Sequence, residues 1–384
     1  MIQAESFIEA GRAFGFQHYA GVPCSFLTPF INYVINDDRL SYISSANEGD
    51  ALATAAGLAI AGKPAVAMMQ NSGLGNAVSP ITSLAHIFRI PLLIITTHRG
   101  EAGLKDEPQH ELMGKITTGL FEIMETPWEL FPDDESEIDA CLQRATEYMK
   151  KEKRPYALLM RKGTVAAHEL HANPVPSVAG RSIERKTFGD TGEVRPGRQD
   201  VLRKIIEHSP VANSVVVATT GFTGRELFAS EDRDNQLYMV GSMGCASSLG
   251  LGISLARPDL QVIVIDGDGA ALMRMGNFAT VASYAGSNFT HILLDNEVHD
   301  STGAQATVTA NLSFADIAAA CGYQRCYRGN DLEIIPALLR PGNHSGPGFA
   351  HIKIRSGTMA DLPRPDVSPE QVLQRLMKNI GTSF

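Results

Sequence analysis

The chain has 384 residues, of which 44% are hydrophobic and 20% are charged, as in an ordinary folded globular protein. Its 33 Lys and Arg against 42 Asp and Glu give a net charge of −9, which argues against a nucleic-acid-binding protein. No apolar run reaches the roughly 18 residues that span a bilayer, and residues 1–14 lack the pattern of a signal peptide. The 5 cysteines are scattered, so we expect reduced thiols in a cytoplasmic protein rather than disulfides, zinc or an iron–sulfur cluster.

The first half of the sequence alternates helical and strand patterns. Helices are predicted over 2–14, 48–61, 77–88 and 136–152, and strands over 19–25 (running into a turn), 41–44, 65–69, 91–96 and 156–160. Such alternation is typical of a parallel sheet covered by helices on both faces. Residues 98–115 interrupt it with a charged, turn-rich loop after a buried strand, where open α/β sheets bind ligands.

The second half resumes the same pattern after a stretch rich in Pro, Gly and charged residues, 171–199. Strands are predicted over 214–218, 262–266, 291–294 and 349–354, helices over 241–256 and 270–285, and a turn over 221–224. We therefore predict an α/β protein with two doubly wound parallel-sheet domains and no third domain between them. The domains are 1–170 and 200–384, and 171–199 is read as a linker.

The most informative motif is Gly267-Asp268-Gly269, which follows an apolar strand. The next 26 residues, 270–295, separate it from Asn296, which follows the next apolar strand. A glycine turn between a strand and a helix lets backbone N–H groups approach a phosphate. The Asp268 carboxylate and the Asn296 amide oxygen are hard ligands that suit Mg²⁺ completed by phosphates and water. Taken alone, the glycine motif is equally compatible with a plain turn.

With this spacing, the sequence resembles the thiamine diphosphate enzyme superfamily over nearly its whole length. The resemblance implies thiamine diphosphate and Mg²⁺ as cofactors, with Asp268, Asn296 and the backbone oxygen of Val298 as metal ligands. It also implies cofactor contacts from several segments: Gly221, Thr223, Gly241, Met243, Gly267, Asp268, Gly269, Ala270 and Asn296, with Thr219, Thr220 and Phe222 beside them. Met243 would be the bulky residue that bends the cofactor, although an apolar residue here is also compatible with ordinary core.

Glu48 lies between a short strand and an Ala-rich helix, where the superfamily has its activating acid. The resemblance implies that Glu48 bonds the cofactor's pyrimidine ring and drives its acid–base chemistry. A carboxylate at a helix start is also explained by the helix dipole alone. In the superfamily the glutamate and the metal site come from different subunits. We therefore expect at least a homodimer with active sites at the subunit interface.

The length leaves no room for a middle domain, as in the phosphonopyruvate and sulfopyruvate decarboxylases. Several segments look like the former, above all Lys105-Asp106-Glu107-Pro108-Gln109-His110. Ala102, Ala304 and Ala306 depart from that pattern. The implied activity is decarboxylation of 3-phosphonopyruvate to phosphonoacetaldehyde and CO₂, in the biosynthesis of phosphonate natural products such as antibiotics. The alternative is sulfopyruvate decarboxylation to sulfoacetaldehyde.

A substrate of this kind needs cationic and hydrogen-bonding groups for its acid end. The candidates are Ser25, Asn71, Ser72, Arg99, Lys105 and His110, with His299 and Asp300 as catalytic candidates because they follow the metal-binding segment. Asp300 could orient the imidazole of His299 for proton transfer. For Arg99, Lys105 and His110, an ordinary loop position explains the residue type equally well. Cys24 is better read as a small buried thiol than as a nucleophile.

Other classes of protein fit less well. A thiamine diphosphate oxidoreductase linked to an iron–sulfur cluster lacks its cysteine clusters here. A dinucleotide-binding dehydrogenase requires G-x-G-x-x-G, which neither Gly267-Asp268-Gly269 nor Gly73-Leu74-Gly75 continues. A non-catalytic relative should have lost the activating acid, whereas Glu48 is present.

Overall fold

The computed structural model describes residues 1–384 except 173–177, 179, 181, 190–193, 341 and 343. The chain divides into two compact units, Met1–Val175 and Pro176–Ser383, and each contains its own parallel sheet. No helix in the part of the chain that the structure describes is long and apolar enough to cross a membrane. The prediction of an α/β protein with two parallel-sheet domains is confirmed.

The helices and strands of the first unit follow one another in close alternation. They are α1 (Ala4–Ala13), β1 (His18–Gly21), α2 (Thr28–Asn36), β2 (Ser41–Ser44), α3 (Glu48–Ile60), β3 (Ala65–Met69), α4 (Leu74–Pro80), α5 (His86–Phe88), β4 (Leu93–Thr97), α6 (Glu111–Ile123), β5 (Trp128–Leu130), α7 (Ile138–Glu152) and β6 (Tyr156–Met160).

The six strands of this unit form one parallel sheet in the order β2-β1-β3-β4-β6-β5. The central strands β3 and β4 are buried at every position, as their continuous apolar runs predict. Side chains on one face of the sheet pack with α1, α2 and α7, where Phe7, Phe30 and Phe131 form an aromatic group with centroids 4.4–5.6 Å apart. The strand order reverses direction between β1 and β3, so ligand-binding residues are expected at the carboxyl ends of these strands.

The single helix predicted over 77–88 is replaced by three shorter pieces. Helix α4 ends at Pro80, a π-helical turn covers Ile81–Ala85, and α5 completes the segment. Pro80 has no N–H to donate to the preceding turn, which breaks the regular i to i+4 ladder and favours this widened turn. The predicted loop 98–115 is also shorter than expected, because α6 begins at Glu111.

The second unit has the same kind of alternation. Its elements are β7 (Glu184–Phe188), α8 (Arg198–Glu207), β8 (Ser214–Ala218), α9 (Phe222–Ser230), β9 (Gln236–Tyr238), α10 (Ala246–Ala256), β10 (Gln261–Gly267), α11 (Asp268–Met273), α12 (Asn277–Tyr284), β11 (Phe289–Asp295), β12 (Val298–His299), β13 (Gln305–Ala306), α13 (Phe314–Cys321), β14 (Arg325–Gly329), α14 (Ile334–Leu339), β15 (Gly348–Lys353) and α15 (Pro369–Asn379).

Seven of these strands form a parallel sheet in the order β7-β14-β15-β11-β10-β8-β9. The central strands β10 and β11 pair from Val262 with Phe289 to Gly267 with Leu294, so their carboxyl ends lie side by side. The order reverses between β8 and β10, which places a second expected binding site at the ends of these strands. A separate antiparallel pair, β12 with β13, follows β11.

Several boundaries in the second half differ from the sequence predictions, among them the start of the helix predicted over 241–256, which begins at Ala246. Part of the predicted linker 171–199 is strand β7, which pairs in parallel with β14 and belongs to the second sheet. This correction has a physical reason: β7 is a polar edge strand, half-buried or exposed throughout, and its sequence carries no apolar run. The remainder of that prediction falls partly outside the described residues. The predicted turn 221–224 is the start of α9, and the predicted helix 270–285 is two helices, α11 and α12.

Candidate functional site

A pocket lies at the carboxyl ends of β8, β10 and β11 in the second unit. It is lined by Arg198, Thr219–Thr223, Met243, Gly267–Ala270, Leu294, Asn296 and Val298–Ser301. The structure therefore brings together the residues predicted from the glycine motif, from Asn296 and from the segment after β8. Gly221 begins α9 with a φ of 90°, a conformation that glycine adopts without strain. Of the predicted cofactor contacts, Gly241 is the one outside this set of lining residues.

Asp268 is the first residue of α11, and only 4% of its surface is exposed. Its Oδ2 atom accepts hydrogen bonds from the hydroxyls of Thr307, at 2.8 Å, and Thr309, at 3.0 Å. Burial raises the pKa of this carboxyl group, and the two hydroxyls act in the opposite direction. Oδ2 is thus held in place by two hydroxyl groups. Neither threonine was predicted from the sequence, because a position in a polar loop is the only indication of its role.

Asn296 is joined to a buried network of charges. Its Nδ2 donates to Oδ2 of Asp300 at 2.6 Å, and the same Asp300 oxygen accepts from Nη2 of Arg198 at 2.7 Å. Oδ1 of Asp300 accepts from the hydroxyl of Ser356, and the backbone N–H of Gly357 also points at this carboxylate. Asp300 is thus fully engaged in holding the loop after β11. Nothing in the sequence marked Arg198, which lies 102 residues from Asp300.

This network corrects the predicted role of Asp300. Among the described residues, the Asp300 carboxylate accepts hydrogen bonds from Arg198, Asn296, Ser356 and Gly357. It accepts none from His299. Burial opposes ionisation of Asp300, but the bonds from Ser356 and Arg198 outweigh it and lower the pKa. Asp300 is therefore a positioning residue for Asn296 rather than the partner of an imidazole.

His299 and Met243 meet over Gly269. A methyl group on Gly269 would lie 2.5 Å from Cε1 of His299 and 3.3 Å from Cε of Met243, so a larger residue here would have to displace the imidazole. The imidazole of His299 makes no hydrogen bond with the residues that the structure describes. Both side chains line the pocket, which is compatible with their predicted contacts to a cofactor and a substrate.

The pocket fits a bound diphosphate with a divalent cation. The hydroxyl of Thr219 is buried in its wall with no hydrogen-bond partner among the described residues, and so could donate to a ligand. A methyl group on Gly267 would meet nothing within 4 Å, which leaves room beside the backbone. The described residues include no group of three or more His, Cys, Asp or Glu side chains that could hold a metal. Asp268 and Asn296 supply two hard oxygens, so a cation here would also require phosphate oxygens or water.

In the first unit, Glu48 follows β2 as the first residue of α3. The side chain of Asn47 caps this helix by accepting from the N–H of Gly49 at 2.8 Å. Oε2 of Glu48 accepts from Nδ2 of Asn76 at 2.8 Å. Helix α3 is almost entirely buried beyond its first turn, so the backbone that carries Glu48 is firmly held.

A second group of polar residues collects at the carboxyl ends of β1, β3 and β4. The guanidinium of Arg99 forms a two-point ion pair with Asp106, in which Nε donates to Oδ2 at 2.7 Å and Nη2 donates to Oδ1. Its Nη1 donates to the hydroxyl of Ser25 at 3.0 Å, and its Cζ atom lies 4.6 Å from the ring centroid of Phe26. The ion pair raises the pKa of Arg99 and keeps that of Asp106 well below its usual range. Arg99 and Ser25 thus form a fixed, charged donor group.

The remaining predicted substrate contacts divide into two kinds. Asn71 is buried, and its amide clamps Arg99 by donating to the Arg99 carbonyl at 2.8 Å and accepting from its N–H at 3.2 Å. His110 is also buried, beneath Gly100. Asn71 thus holds the backbone of Arg99, whereas the buried Nδ1 atom of His110 has no hydrogen-bond partner among the described residues; their contacts with a substrate remain a prediction. Ser72 is exposed and bonded to Gln70, and Lys105 is exposed with no hydrogen bond in the described chain.

Cys24 is buried beside this group. Its thiol lies 3.2 Å from Oε1 of Gln70, as a donor, and 3.7 Å from the hydroxyl of Thr97. These contacts agree with a small structural thiol at this position.

Comparisons with known proteins agree with this arrangement. Residues 1–118 match the model of the N-terminal TPP binding domain of thiamine pyrophosphate enzymes, and residues 223–352 match that of the C-terminal TPP binding domain. The chain is 42% identical to a phosphonopyruvate decarboxylase of Streptomyces hygroscopicus, over 98% of this chain and 93% of the relative. It is 40% identical to a phosphonopyruvate decarboxylase of Streptomyces viridochromogenes, over 100% and 96% of the two chains.

More distant relatives share the fold. A sulfopyruvate decarboxylase of Methanosarcina acetivorans is 28% identical over 98% of this chain and 97% of its own length. The solved structure of a thiamine diphosphate-dependent 4-hydroxybenzoylformate decarboxylase of Rhodococcus jostii RHA1 matches with a TM-score of 0.70 at 13% identity, over 94% of this chain and 100% of the other.

The two domain matches, together with the diphosphate-type pocket, define a thiamine pyrophosphate enzyme, and the relatives are decarboxylases. The chain belongs to this family and, within it, to the group of phosphonopyruvate decarboxylases.

Proposed function

We propose that this protein decarboxylates 3-phosphonopyruvate to phosphonoacetaldehyde and CO₂, with thiamine diphosphate and Mg²⁺ as cofactors. The observation that carries the choice of substrate is the full-length similarity to two phosphonopyruvate decarboxylases, at 42% and 40% identity. The proposed setting is the biosynthesis of phosphonate natural products, and the proposed assembly is a homodimer or larger with active sites at the interface between copies. The more distant sulfopyruvate decarboxylase, at 28% identity, makes sulfopyruvate the alternative substrate.

In this proposal, the second unit holds the cofactor's charged end. Asp268 and Asn296 bind Mg²⁺ through their side-chain oxygens, and Val298 adds its backbone oxygen. Thr219, Gly221 and the start of α9 face the diphosphate, because their hydroxyl and N–H groups line the pocket. When bound, thiamine diphosphate supplies the electron sink that a departing carboxylate requires.

Glu48 is assigned the acid–base role on the cofactor. A carboxyl group at this position can take up and return a proton at its free oxygen while Asn76 holds the other. The reaction loses the carboxylate as CO₂ and leaves its electron pair on the former carbonyl carbon, which must then receive one proton. His299 is the proposed donor of that proton, since its imidazole lines the pocket with no hydrogen-bond partner among the described residues.

The phosphonate end of the substrate is assigned to Arg99 and Ser25. A guanidinium fixed by Asp106 and a hydroxyl 3.0 Å away form a charge-assisted donor pair that suits a tetrahedral anion. Ser72, which is exposed near the same strand ends, completes the proposed contacts.

The test measures CO₂ and aldehyde release by the purified protein with thiamine diphosphate and Mg²⁺. Phosphonopyruvate, sulfopyruvate and pyruvate are compared side by side, with a reaction lacking Mg²⁺ as control. The expected result is the highest kcat/KM for phosphonopyruvate and loss of turnover without a divalent cation. A higher kcat/KM for sulfopyruvate would overturn the substrate proposal, and turnover of none of the three would overturn the activity.

A further inference from the structure

Two residues of one short segment of the first unit lie against the carboxylate of Glu48. This segment, Asn71–Asn76, follows β3 and leads through a 3₁₀ turn into α4. Asn76, in the first turn of α4, donates its Nδ2 proton to Oε2 of Glu48 at 2.8 Å. Gly73, one turn earlier, lies against the other carboxyl oxygen, Oε1. Asn76 therefore holds the carboxylate through a hydrogen bond, and Gly73 leaves the space that the carboxylate occupies.

A side chain at position 73 would collide with Glu48 in its present position. A methyl group on this residue would overlap the carboxyl group of Glu48 and lie 2.5 Å from its Cγ. The backbone of Gly73 does not itself require glycine, because its φ of −74° and ψ of −15° are ordinary helical values. The requirement for glycine thus comes from Glu48, whose carboxyl group occupies the volume that a Cβ atom would fill.

We propose that Asn76 and Gly73 are positioning residues for Glu48, which together fix its carboxylate in the orientation needed for proton exchange with the cofactor. This inference rests on the proposed function, since it takes Glu48 as the activating acid. A flexible glutamate side chain loses rotamer freedom when Asn76 binds its Oε2 atom and its carboxyl group is packed against Gly73, so less of that cost remains when the cofactor binds. Displacement of a reacting group by about 1 Å can cost roughly 100-fold in rate, so a small shift of this carboxylate is measurable.

Two single substitutions test the two contacts separately. Asn76→Ala removes the hydrogen bond to Oε2 at an exposed position, where the loss should not prevent folding. Gly73→Ala keeps a permitted backbone conformation but pushes the carboxylate aside, since the end of a flexible side chain can move. Ser79→Ala is the matched control, because Ser79 is an exposed polar residue one turn beyond Asn76 on α4.

The readout is the rate at which bound thiamine diphosphate exchanges its thiazolium C2 proton for deuterium, measured by acid quench and proton NMR. Affinity for thiamine diphosphate with Mg²⁺ is measured on the same samples, with Glu48→Gln as the reference for full loss. We expect a fall of about 10-fold in exchange rate for Asn76→Ala and about 100-fold for Gly73→Ala. Cofactor affinity should stay within about 3-fold of wild type in both, and Ser79→Ala should match wild type.

The outcomes separate the failure of this inference from failure of the proposed function. Slower exchange in Glu48→Gln with unchanged exchange in Asn76→Ala and Gly73→Ala would overturn the positioning role alone. Equal exchange in wild type, Glu48→Gln and free cofactor would overturn both the positioning role and the activating role of Glu48. Loss of cofactor binding in step with the loss of exchange would also overturn the inference, because it would indicate a structural role.

Discussion

The amide nitrogen of Asn296 donates a 2.6 Å hydrogen bond to the carboxylate of Asp300, four residues further along the chain. Because the amide group has one oxygen and one nitrogen, fixing the nitrogen on Asp300 also fixes the direction of the oxygen. Asp300 is in turn fixed by Arg198, which reaches it from α8 and also donates to Glu226 at 2.9 Å. The buried guanidinium of Arg198, on α8, thus sets the orientation of Asn296 through Asp300.

Replacing Asp300 with Ala should therefore weaken metal binding without removing a metal ligand. Loss of a residue that orients a ligand typically costs about 10- to 100-fold in metal affinity, and we expect a decrease in that range for Mg²⁺. The free energy of unfolding should also fall by about 3 kcal/mol, because Arg198 is left buried with one partner fewer. Titration of Mg²⁺ in the presence of thiamine diphosphate, with urea unfolding of the same variant, measures both effects. Unchanged Mg²⁺ affinity would contradict the orienting role.

Asp268 should be indispensable for retention of the cofactor with Mg²⁺. We expect Asp268→Ala to lose Mg²⁺-dependent binding of thiamine diphosphate, since the pocket then lacks its carboxylate ligand. Thr307→Val should weaken Mg²⁺ binding by about 10-fold, because it removes one of the two hydroxyls that hold Oδ2 of Asp268 while leaving the ligand in place. Thr307→Ser retains the hydroxyl and serves as the matched control. Equilibrium dialysis of thiamine diphosphate with and without Mg²⁺ decides the matter, and equal retention by Asp268→Ala and wild type would exclude this metal site.

Glu48→Gln should abolish turnover while leaving cofactor binding largely intact. The amide keeps the shape of the side chain and cannot exchange a proton as a carboxyl group does, so kcat should fall by about 100- to 10,000-fold. Steady-state decarboxylation and a thiamine diphosphate binding isotherm for the same preparation give the two quantities. Full activity in this variant would show that the activating acid lies elsewhere.

Arg99 should control affinity for the anionic end of the substrate. Arg99→Met removes a charge-assisted hydrogen bond worth about 1.5 to 3 kcal/mol, so KM for phosphonopyruvate should rise by roughly 10- to 100-fold with a smaller change in kcat. Lys105→Met removes a cation of the same loop that is exposed and makes no hydrogen bond among the described residues. It should change KM by less than about 3-fold. Equal effects of the two substitutions would indicate general attraction by the loop rather than a specific contact.

The ion pair between Arg99 and Asp106 should make a pH-dependent contribution to stability. Arg99 lowers the pKa of Asp106 in the folded protein, so the pair stabilises the fold above the unfolded-state pKa of about 4. That stabilisation is lost as the pH falls through the lower folded-state pKa. Asp106→Asn should therefore cost about 1 kcal/mol at pH 7, and the difference from wild type should shrink between pH 5 and pH 2. Urea unfolding at several pH values measures it, with Asp38→Asn as an exposed control. A difference that does not vary with pH would contradict the assignment.

Much of the fold could be predicted because its central strands are buried on both faces. The runs 65–69, 156–160 and 215–218 are continuously apolar, and the structure has strands at these positions. The edge strand β7 could not be predicted in this way, because an edge strand faces water and is polar and charged. The π-helical turn after Pro80 could not be predicted for a different reason. The spacing of its apolar residues differs little from the spacing in an α-helix.

The residues of the candidate site also differ in whether the sequence could predict them. Asp268 and Asn296 were predictable because both follow apolar strands that become neighbours in a parallel sheet. Sequence did not predict Arg198, Thr307 or Thr309. These residues act through Asp300 and Asp268, and no characteristic separation along the sequence links a supporting residue to the residue that it supports. The same limit applies to Asn71 and His110, which were predicted as substrate contacts and are buried in the structure. Residue type and loop position do not reveal which side chains of a loop are buried beneath it.

Strand β7 also determines where this polypeptide could be divided. Because Glu184–Phe188 pairs with β14 at the edge of the second sheet, a fragment that starts at residue 200 would leave that edge uncovered. It would expose the backbone groups of β14 and invite association with other chains. A break between β6 and β7 leaves both sheets with their full number of strands. Production of the two halves as separate polypeptides should therefore keep residues 184–188 with the second half.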